Sequence, residues 1–207
     1  MEINYIELLA LVFGVVSVWF NTREIVWGWP TGIVGTVLSG ILFWEVKLYS
    51  DLILHVFYVI LGFYGWYEWL YGGRRPGGRR SGGRQSGGRG KQELRVSLLS
   101  RQRLLLLLTL GILGLAGFGF FFDRFSDADL PYWDAFTTSF SFVGTYMLAR
   151  KKLENWILWI IVDTVAAGIY FYKELYLLAL LYFLYLGLAT YGFINWRKSL
   201  LKFDVQK

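Results

Sequence analysis

Seven apolar runs, each bounded by charged or turn-forming residues, divide the chain: about Ile3–Phe20, Pro30–Trp44, Leu48–Tyr71, Leu104–Phe122, Tyr132–Ala149, Trp156–Tyr172 and Leu175–Trp196. Most reach the roughly 17–25 residues that carry a helix across about 30 Å of hydrocarbon, and the second is marginal unless Trp27 and Gly28 belong to it. In lipid the backbone must satisfy its own polar groups, and no run shows the roughly ten-residue alternation of a barrel strand, so each is predicted to be a helix. The expected fold class is all-α and integral to the membrane, with seven transmembrane helices. The first run carries Glu2 and Glu7 where a secretory signal carries basic residues, and it lacks a small-residue cleavage pattern. It is expected to be a retained span.

Composition agrees with the pattern. Of 207 residues 56% are hydrophobic and 17% charged, more apolar surface than a soluble domain of this size hides. There is no cysteine and a single histidine, His55, which excludes disulfides, thiolate metal sites and multi-histidine centres. Neither a metal nor a cofactor is expected.

Charge orients the spans. Between the third and fourth runs lies Gly72–Lys91, a Gly/Arg/Ser tract with seven basic residues and no acid, too poor in apolar residues to build a core. Read as a cytoplasmic linker, it puts Arg150, Lys151, Lys152, Arg197, Lys198 and Lys202 inside, and the acidic stretch with Asp123, Asp127, Asp129 and Asp134 outside. The positive-inside rule then predicts a multi-pass protein of the inner (plasma) membrane with its N-terminus outside and its C-terminus in the cytoplasm. The tract lacks the interleaved aromatics of a nucleic-acid platform, so no nucleic-acid partner is expected.

The chain also resembles itself. Shifted by 127 residues without a gap, Phe43–Trp69 falls on Tyr170–Trp196 with eight identities: Leu48, Tyr49, Leu54, Tyr58, Leu61, Tyr64, Gly65 and Trp69 match Leu175, Tyr176, Leu181, Tyr185, Leu188, Tyr191, Gly192 and Trp196. Upstream, Arg23 and Trp29 fall on Arg150 and Trp156. One span separates the two copies, so both run in the same direction, a 3+1+3 parallel repeat of the kind seen in SWEET-like transporters. The domains expected are 1–71, the first three-helix repeat; 72–97, the linker; 98–130, the fourth helix and outer loop; 131–198, the second repeat; and 199–207, a cytoplasmic tail. Trp159 lies opposite Gly32, Asp163 opposite Thr36 and His55 opposite Tyr182, so the shared scaffold carries unequal polar equipment. Ordinary divergence between copies explains this equally well for His55, and less well for an acid in a span.

Trp156-x-x-Trp159-x-x-x-Asp163 puts two indoles and a carboxylate on one helix face. An aspartate at the centre of a spanning helix costs roughly 2.5–3.5 kcal/mol on insertion scales, so it faces a cavity or a partner. Tyr58, Gly62, Gly65 and Trp69 share a face of the third run, with His55 one turn before Tyr58, and would form the opposite wall. The plainer reading of the glycines, including Gly28, Gly32, Gly35 and Gly40, is close helix packing. Pro30 and Pro131 stand at helix starts, where proline is tolerated. Trp19, Trp27, Trp44, Trp69, Trp133 and Trp196 near span ends are expected to be interfacial anchors.

Pro131-Tyr-Trp-Asp134, then Ala149-Arg-Lys-Lys-Leu-Glu154-Asn155-Trp156-Ile-Leu-Trp159-Ile-Ile-Val-Asp163, and Tyr49 to Trp69 ending in Tyr64-Gly65-Trp66-Tyr67-Glu68-Trp69, resemble the PnuC nicotinamide riboside transporters over nearly the whole chain outside the linker. The resemblance implies uptake of nicotinamide riboside by facilitated diffusion, a cytoplasmic riboside kinase that traps the product, and a homotrimer. Members often carry Asn where this chain has Asp163 and Gln where it has His55, and relatives move thiamine, riboflavin or deoxynucleosides.

No Lys or Arg inside the predicted spans neutralises Asp163, so its carboxylate calls for water or a cationic guest. A flat pyridinium stacked on an indole gains cation–π attraction of roughly 0.5–2 kcal/mol per face. The thiazolium of thiamine meets the same description, and Asp163 equally suits ribose hydroxyls. The candidate substrate-binding set is Trp156, Trp159, Asp163, His55, Tyr58, Trp66 and Tyr146. A vitamin or nucleoside substrate and membrane lipid are the expected partners. A membrane enzyme would need a nucleophile–base pair or a metal cluster, and neither is present. A seven-helix ligand-sensing receptor is the remaining alternative of another class.

Overall fold

The computed structural model describes residues 5–45, 49–73, 94–126 and 129–204. Most of the Gly/Arg tract, Asp127 of the acidic loop and Leu48 of the repeat lie outside them. Seven helices follow one another: α1 (Tyr5–Thr22), α2 (Gly28–Glu45), α3 (Tyr49–Tyr71), α4 (Arg101–Phe125), α5 (Pro131–Ala149), α6 (Glu154–Tyr172) and α7 (Tyr176–Asp204). α1, α4, α6 and α7 are long and apolar enough to cross a membrane. α2 begins at Gly28 and so reaches 18 residues, which resolves the shortness of the second run. α7 continues past Trp196 to Asp204, taking most of the expected tail into the helix.

Three connections share one backbone device. α1, α5 and α6 each end with a residue in the left-handed region: Glu24 (φ 57°), Lys151 (φ 46°) and Glu174 (φ 59°). Around each, two hydrogen bonds wrap the last turn: Ile25 N to Phe20 O at 2.9 Å, Lys152 N to Met147 O at 2.9 Å, and Leu175 N to Tyr170 O at 2.9 Å, each with an inner bond from the left-handed residue itself. This is the Schellman closure that glycine normally supplies. A side chain there costs roughly 1–2 kcal/mol, so the surroundings must hold it in place.

Consecutive helices pack in series, α1 on α2 on α3 and α4 on α5 on α6 on α7; α3 meets α5 and α1 meets α7. The densest core lies where α1, α3 and α5 end and α2 and α6 begin. Trp69 and Trp196, at 6% and 0% exposure, are at its centre with Trp29 and Trp156. That corrects the expectation for two of the terminal tryptophans: Trp19, Trp27, Trp44 and Trp133 are exposed, but Trp69 and Trp196 face inward. The reason is hydrogen bonding across the core. Trp69 Nε1 donates to Leu148 O (3.1 Å) and Trp196 Nε1 donates to Asn21 O (3.0 Å). A buried indole N–H needs such an acceptor, and the last turn of a helix has carbonyls to spare.

Each member of that bond pair is the other's counterpart 127 residues away, and the same holds for the ring contacts. Trp29 meets Trp69 edge-on at 5.8 Å, and Trp156 meets Trp196 edge-on at 5.4 Å. A methyl group at Gly65 would strike the Trp29 indole, and one at Gly192 the Trp156 indole. Gly65 and Gly192 are therefore the close-approach positions that let α3 and α7 accept a ring. A short strap, residues 94–100, ties α4 to the α5–α6 turn: Ser97 N donates to Lys151 O (3.0 Å) and Leu153 N to Ser97 O (3.1 Å).

Candidate functional site

Two turns along α6 from the tryptophan core sits Asp163, 4% exposed. None of the ion pairs among the described residues includes it. The groups around it are tyrosines. Tyr182 and Tyr185 of α7 lie within electrostatic reach of the carboxylate, and Tyr182 also senses Tyr58 of α3. Tyr182 stacks on Tyr170 at 5.2 Å, and the Tyr58 hydroxyl shares a hydrogen bond with the Ser141 side chain of α5. Tyr185 takes the corresponding place in the other half, its hydroxyl over Gly14 of α1. A buried acid ringed by phenol hydroxyls has donors for its oxygens and no cation, an arrangement that suits a guest bringing positive charge or hydroxyl groups.

The predicted residues separate into three groups. Asp163, Trp159 and Tyr58 flank the centre of the bundle. Trp159 is half-buried between two apolar clusters, its indole laid against Gly144 of α5, where a Cβ would come within 3.1 Å of Cε2. Its counterpart in the first half is Gly32, which faces Ser17, the counterpart of Gly144. Small and large residues have thus changed places between the halves, and only the second half presents an indole at this level.

Trp156 and Trp66 belong to the inner core. Trp156 is 2% exposed and its Nε1 has no acceptor among the described residues. Trp66 is partly buried beside the same cluster, 6.4 Å from Phe63. His55 and Tyr146 lie on opposite sides of the centre. His55 meets Phe43 at 4.7 Å and Tyr58 at 6.0 Å, towards the α2–α3 turn. Tyr146 stacks on Tyr64 at 6.2 Å with parallel planes and lines a recess of about 330 Å³ with Arg103, Arg150 and Lys152.

Tyr182, Tyr185, Tyr170 and Ser141 did not stand out in the sequence, because tyrosine in an apolar run looks like packing. The repeat held the available signal: Tyr185 is the counterpart of Tyr58, and Tyr182 of His55. The glycines of the third run fall to the packing reading, Gly62 against Ile33 and Gly65 against Trp29.

At the end of the bundle holding the tryptophan core, Lys151 Nζ pairs with Glu24 Oε2 at 3.0 Å and lies 4.5 Å above the Trp69 ring. Arg150 Nη1 pairs with Glu68 Oε1 at 2.8 Å and donates to the Tyr64 hydroxyl at 3.3 Å. Both ion pairs join the first three helices to the last three.

A sequence model of the nicotinamide mononucleotide transporter family matches residues 4–198. The nicotinamide riboside transporter PnuC of Escherichia coli (strain K12) is 22% identical, aligned over 96% of this chain and 87% of its own length. The riboflavin/roseoflavin transporter RibM of Streptomyces davaonensis is 23% identical over 94% and 85%. Among solved structures, the crystal structure of the vitamin B3 transporter PnuC superimposes with a TM-score of 0.71 at 22% identity, covering 96% of this chain and 83% of that one.

Proposed function

The chain belongs to the PnuC nicotinamide riboside transporter family, and from that premise we propose that it carries nicotinamide riboside inward by facilitated diffusion, with phosphorylation by a cytoplasmic kinase keeping the free riboside low. The observation that carries the substrate assignment is Asp163, a buried carboxylate with no basic partner among the described residues. A pyridinium riboside supplies both the positive charge and the hydroxyls that this carboxylate and its tyrosines would bind. In this reading Asp163, Trp159 and Tyr58 touch the substrate together with Tyr182 and Tyr185. Trp156 and Trp66 back that surface, and His55 and Tyr146 line the routes on either side.

The proposed architecture is a 3+1+3 parallel repeat of seven spans, N-terminus outside and C-terminus inside, in the inner membrane and assembled as a trimer. The reciprocal tryptophan bonds and the two Gly–Trp contacts, all matched at 127 residues, support the repeat. The basic clusters at the Trp69 end support the orientation. A uniporter is the simpler mechanism because proton coupling normally needs a chain of acids or histidines across the membrane.

Riboflavin is the competing cargo, since a relative of equal similarity is named for it, and thiamine shares the cationic ring. Riboflavin is neutral and leaves the Asp163 charge unanswered. Counterflow into vesicles reconstituted with the purified protein, using labelled nicotinamide riboside against each competitor, tests the reading. Exchange blocked by excess nicotinamide riboside but not by riboflavin or thiamine is the expected result. Preference for either competitor reassigns the substrate, and accumulation of free substrate under an imposed pH gradient would refute facilitated diffusion.

A further inference from the structure

Among the described elements, α4 packs on α5 alone, which leaves an open flank between α3 and α4. Along α4, Arg103, Leu107, Gly114, Gly117, Phe118 and Phe121 recur at helical spacing and share one face; on α5, Phe142, Tyr146 and Arg150 do the same. These faces bound two hollows. One is the recess of about 330 Å³ at the basic end, lined by Arg103, Tyr146, Arg150 and Lys152. The other is a cleft of about 800 Å³ further along, lined by Phe57 and Ile60 of α3, Gly117, Phe118 and Phe121 of α4, and Phe142 of α5.

The recess keeps a surplus of positive charge. Arg150 is answered by Glu68, but Lys152 Nζ meets only neutral acceptors in Ser97 Oγ (2.8 Å) and Leu98 O (3.4 Å), and Arg103 is exposed on the first turn of α4. The nearby Glu154 spends Oε1 on the Leu99 amide at 2.8 Å. The cleft, in contrast, is apolar throughout its lining. From Arg103 to Gly117 runs fourteen residues of helix, about 21 Å. That is half of a bilayer measured between headgroup regions, roughly 40–45 Å. A methyl group at Gly117 would meet nothing within 4 Å, so the space at that depth is open.

We infer that the flank between α3 and α4 holds an anionic phospholipid, its phosphate at Arg103 and Lys152 and one acyl chain lying along Gly117 and Phe118. Basic residues gathered beside spanning helices attract acidic headgroups, and an acyl chain is the only component of a bilayer that fits an apolar cleft at mid-depth. The inference rests on the spanning arrangement proposed above, whose orientation makes the site one of the cytoplasmic leaflet. It makes no use of the transported substrate.

The test is native mass spectrometry of the purified full chain with phosphatidylglycerol, phosphatidylcholine of the same acyl chains, and glycerol phosphate, without substrate. Phosphatidylglycerol should be retained about tenfold over phosphatidylcholine by two cations acting together. Arg103→Gln with Lys152→Gln should bring the two lipids level, whereas the charge-keeping pair Arg103→Lys with Lys152→Arg should preserve the preference. Gly117→Leu, which fills open space, should lower retention of both lipids. Equal retention of the two lipids by the unaltered chain, or an unchanged preference in the double Gln variant, overturns the headgroup assignment. Displacement of the lipid by glycerol phosphate, or a Gly117→Leu variant that retains lipid fully, overturns the seat of the chain. Appearance of the chain solely as a lipid-free oligomer shows the flank covered by a second copy and overturns the whole. Because no substrate is present, each of these failures leaves the transport reading to be judged by counterflow.

Discussion

Glu24 and Lys151 stand one sequence repeat apart, each ends a helix in the left-handed conformation, and the two close a 3.0 Å ion pair with each other. Lys151 is also held by the face of Trp69, 4.5 Å away. Residues matched by an internal repeat meet each other only close to the axis relating the copies, so this pair marks where the halves touch at the basic end. Opposite signs at matched positions turn what would be self-repulsion into attraction. Lys151→Met should destabilise the protein by about 1–2 kcal/mol and slow counterflow, since it strands a partly buried carboxylate. The exchanged pair Glu24→Lys with Lys151→Glu should recover much of the loss. Thermal unfolding in detergent reads the first effect, and absence of recovery in the exchanged pair would remove the ion pair from the account.

Asp163→Asn separates charge from hydrogen bonding at the centre of the bundle. Binding of nicotinamide riboside should weaken roughly tenfold or more, equivalent to about 1.4 kcal/mol. The ligand-free protein should become more stable, because a buried amide is cheaper to desolvate than an unpaired carboxylate. Tryptophan fluorescence titration and ligand-free melting measure the two effects. Full-strength binding by the variant would count against ionic recognition.

Gly144→Ala places a methyl group about where the Trp159 indole lies, 3.1 Å from its Cε2. The ring must give by a few tenths of an ångström. Affinity should fall several-fold while stability changes by about 1 kcal/mol or less, as small overpackings do where a neighbour can yield. Gly144→Val should abolish binding. Transport and affinity untouched by either substitution would show that Trp159 is not at the substrate.

Trp69→Phe and Trp196→Phe each remove an indole N–H and most of one ring while keeping an aromatic side chain. Each should cost about 1–3 kcal/mol through an orphaned helix carbonyl and lost packing, with similar values for the two sites. A large difference between their melting temperatures would mean that the matched bonds are not equivalent in strength.

The seven helices were legible because lipid demands continuous apolar runs, and their ends were legible to within a few residues. The first turn of α2 was obscured by Trp27–Gly28–Trp29, where indole and glycine read as interface and span alike. Trp156, Trp159 and Asp163 were found through one short motif. Tyr182 and Tyr185 were not, since their importance comes from α7 crossing α6, a relationship between segments rather than a spacing within one. The left-handed ends at Glu24, Lys151 and Glu174 were invisible for a different reason: no glycine announces them, and tertiary contacts carry their strain. Trp69 and Trp196 were placed at the membrane surface because their partners are backbone carbonyls of another helix, which no side-chain pattern encodes.

The strap 94–100 fastens α4 to the α5–α6 turn, and α4 packs on α5 alone among the described elements. The fourth helix is therefore mechanically part of the second half, and any rocking of α1–α3 against the rest alters the width of the cleft beside α4. Such a seam exposes the transport cycle to the bilayer's own elasticity. Turnover in vesicles of stiff, saturated lipid is expected to be slower than in fluid, unsaturated lipid at equal substrate affinity, so that the membrane acts as a load on the carrier.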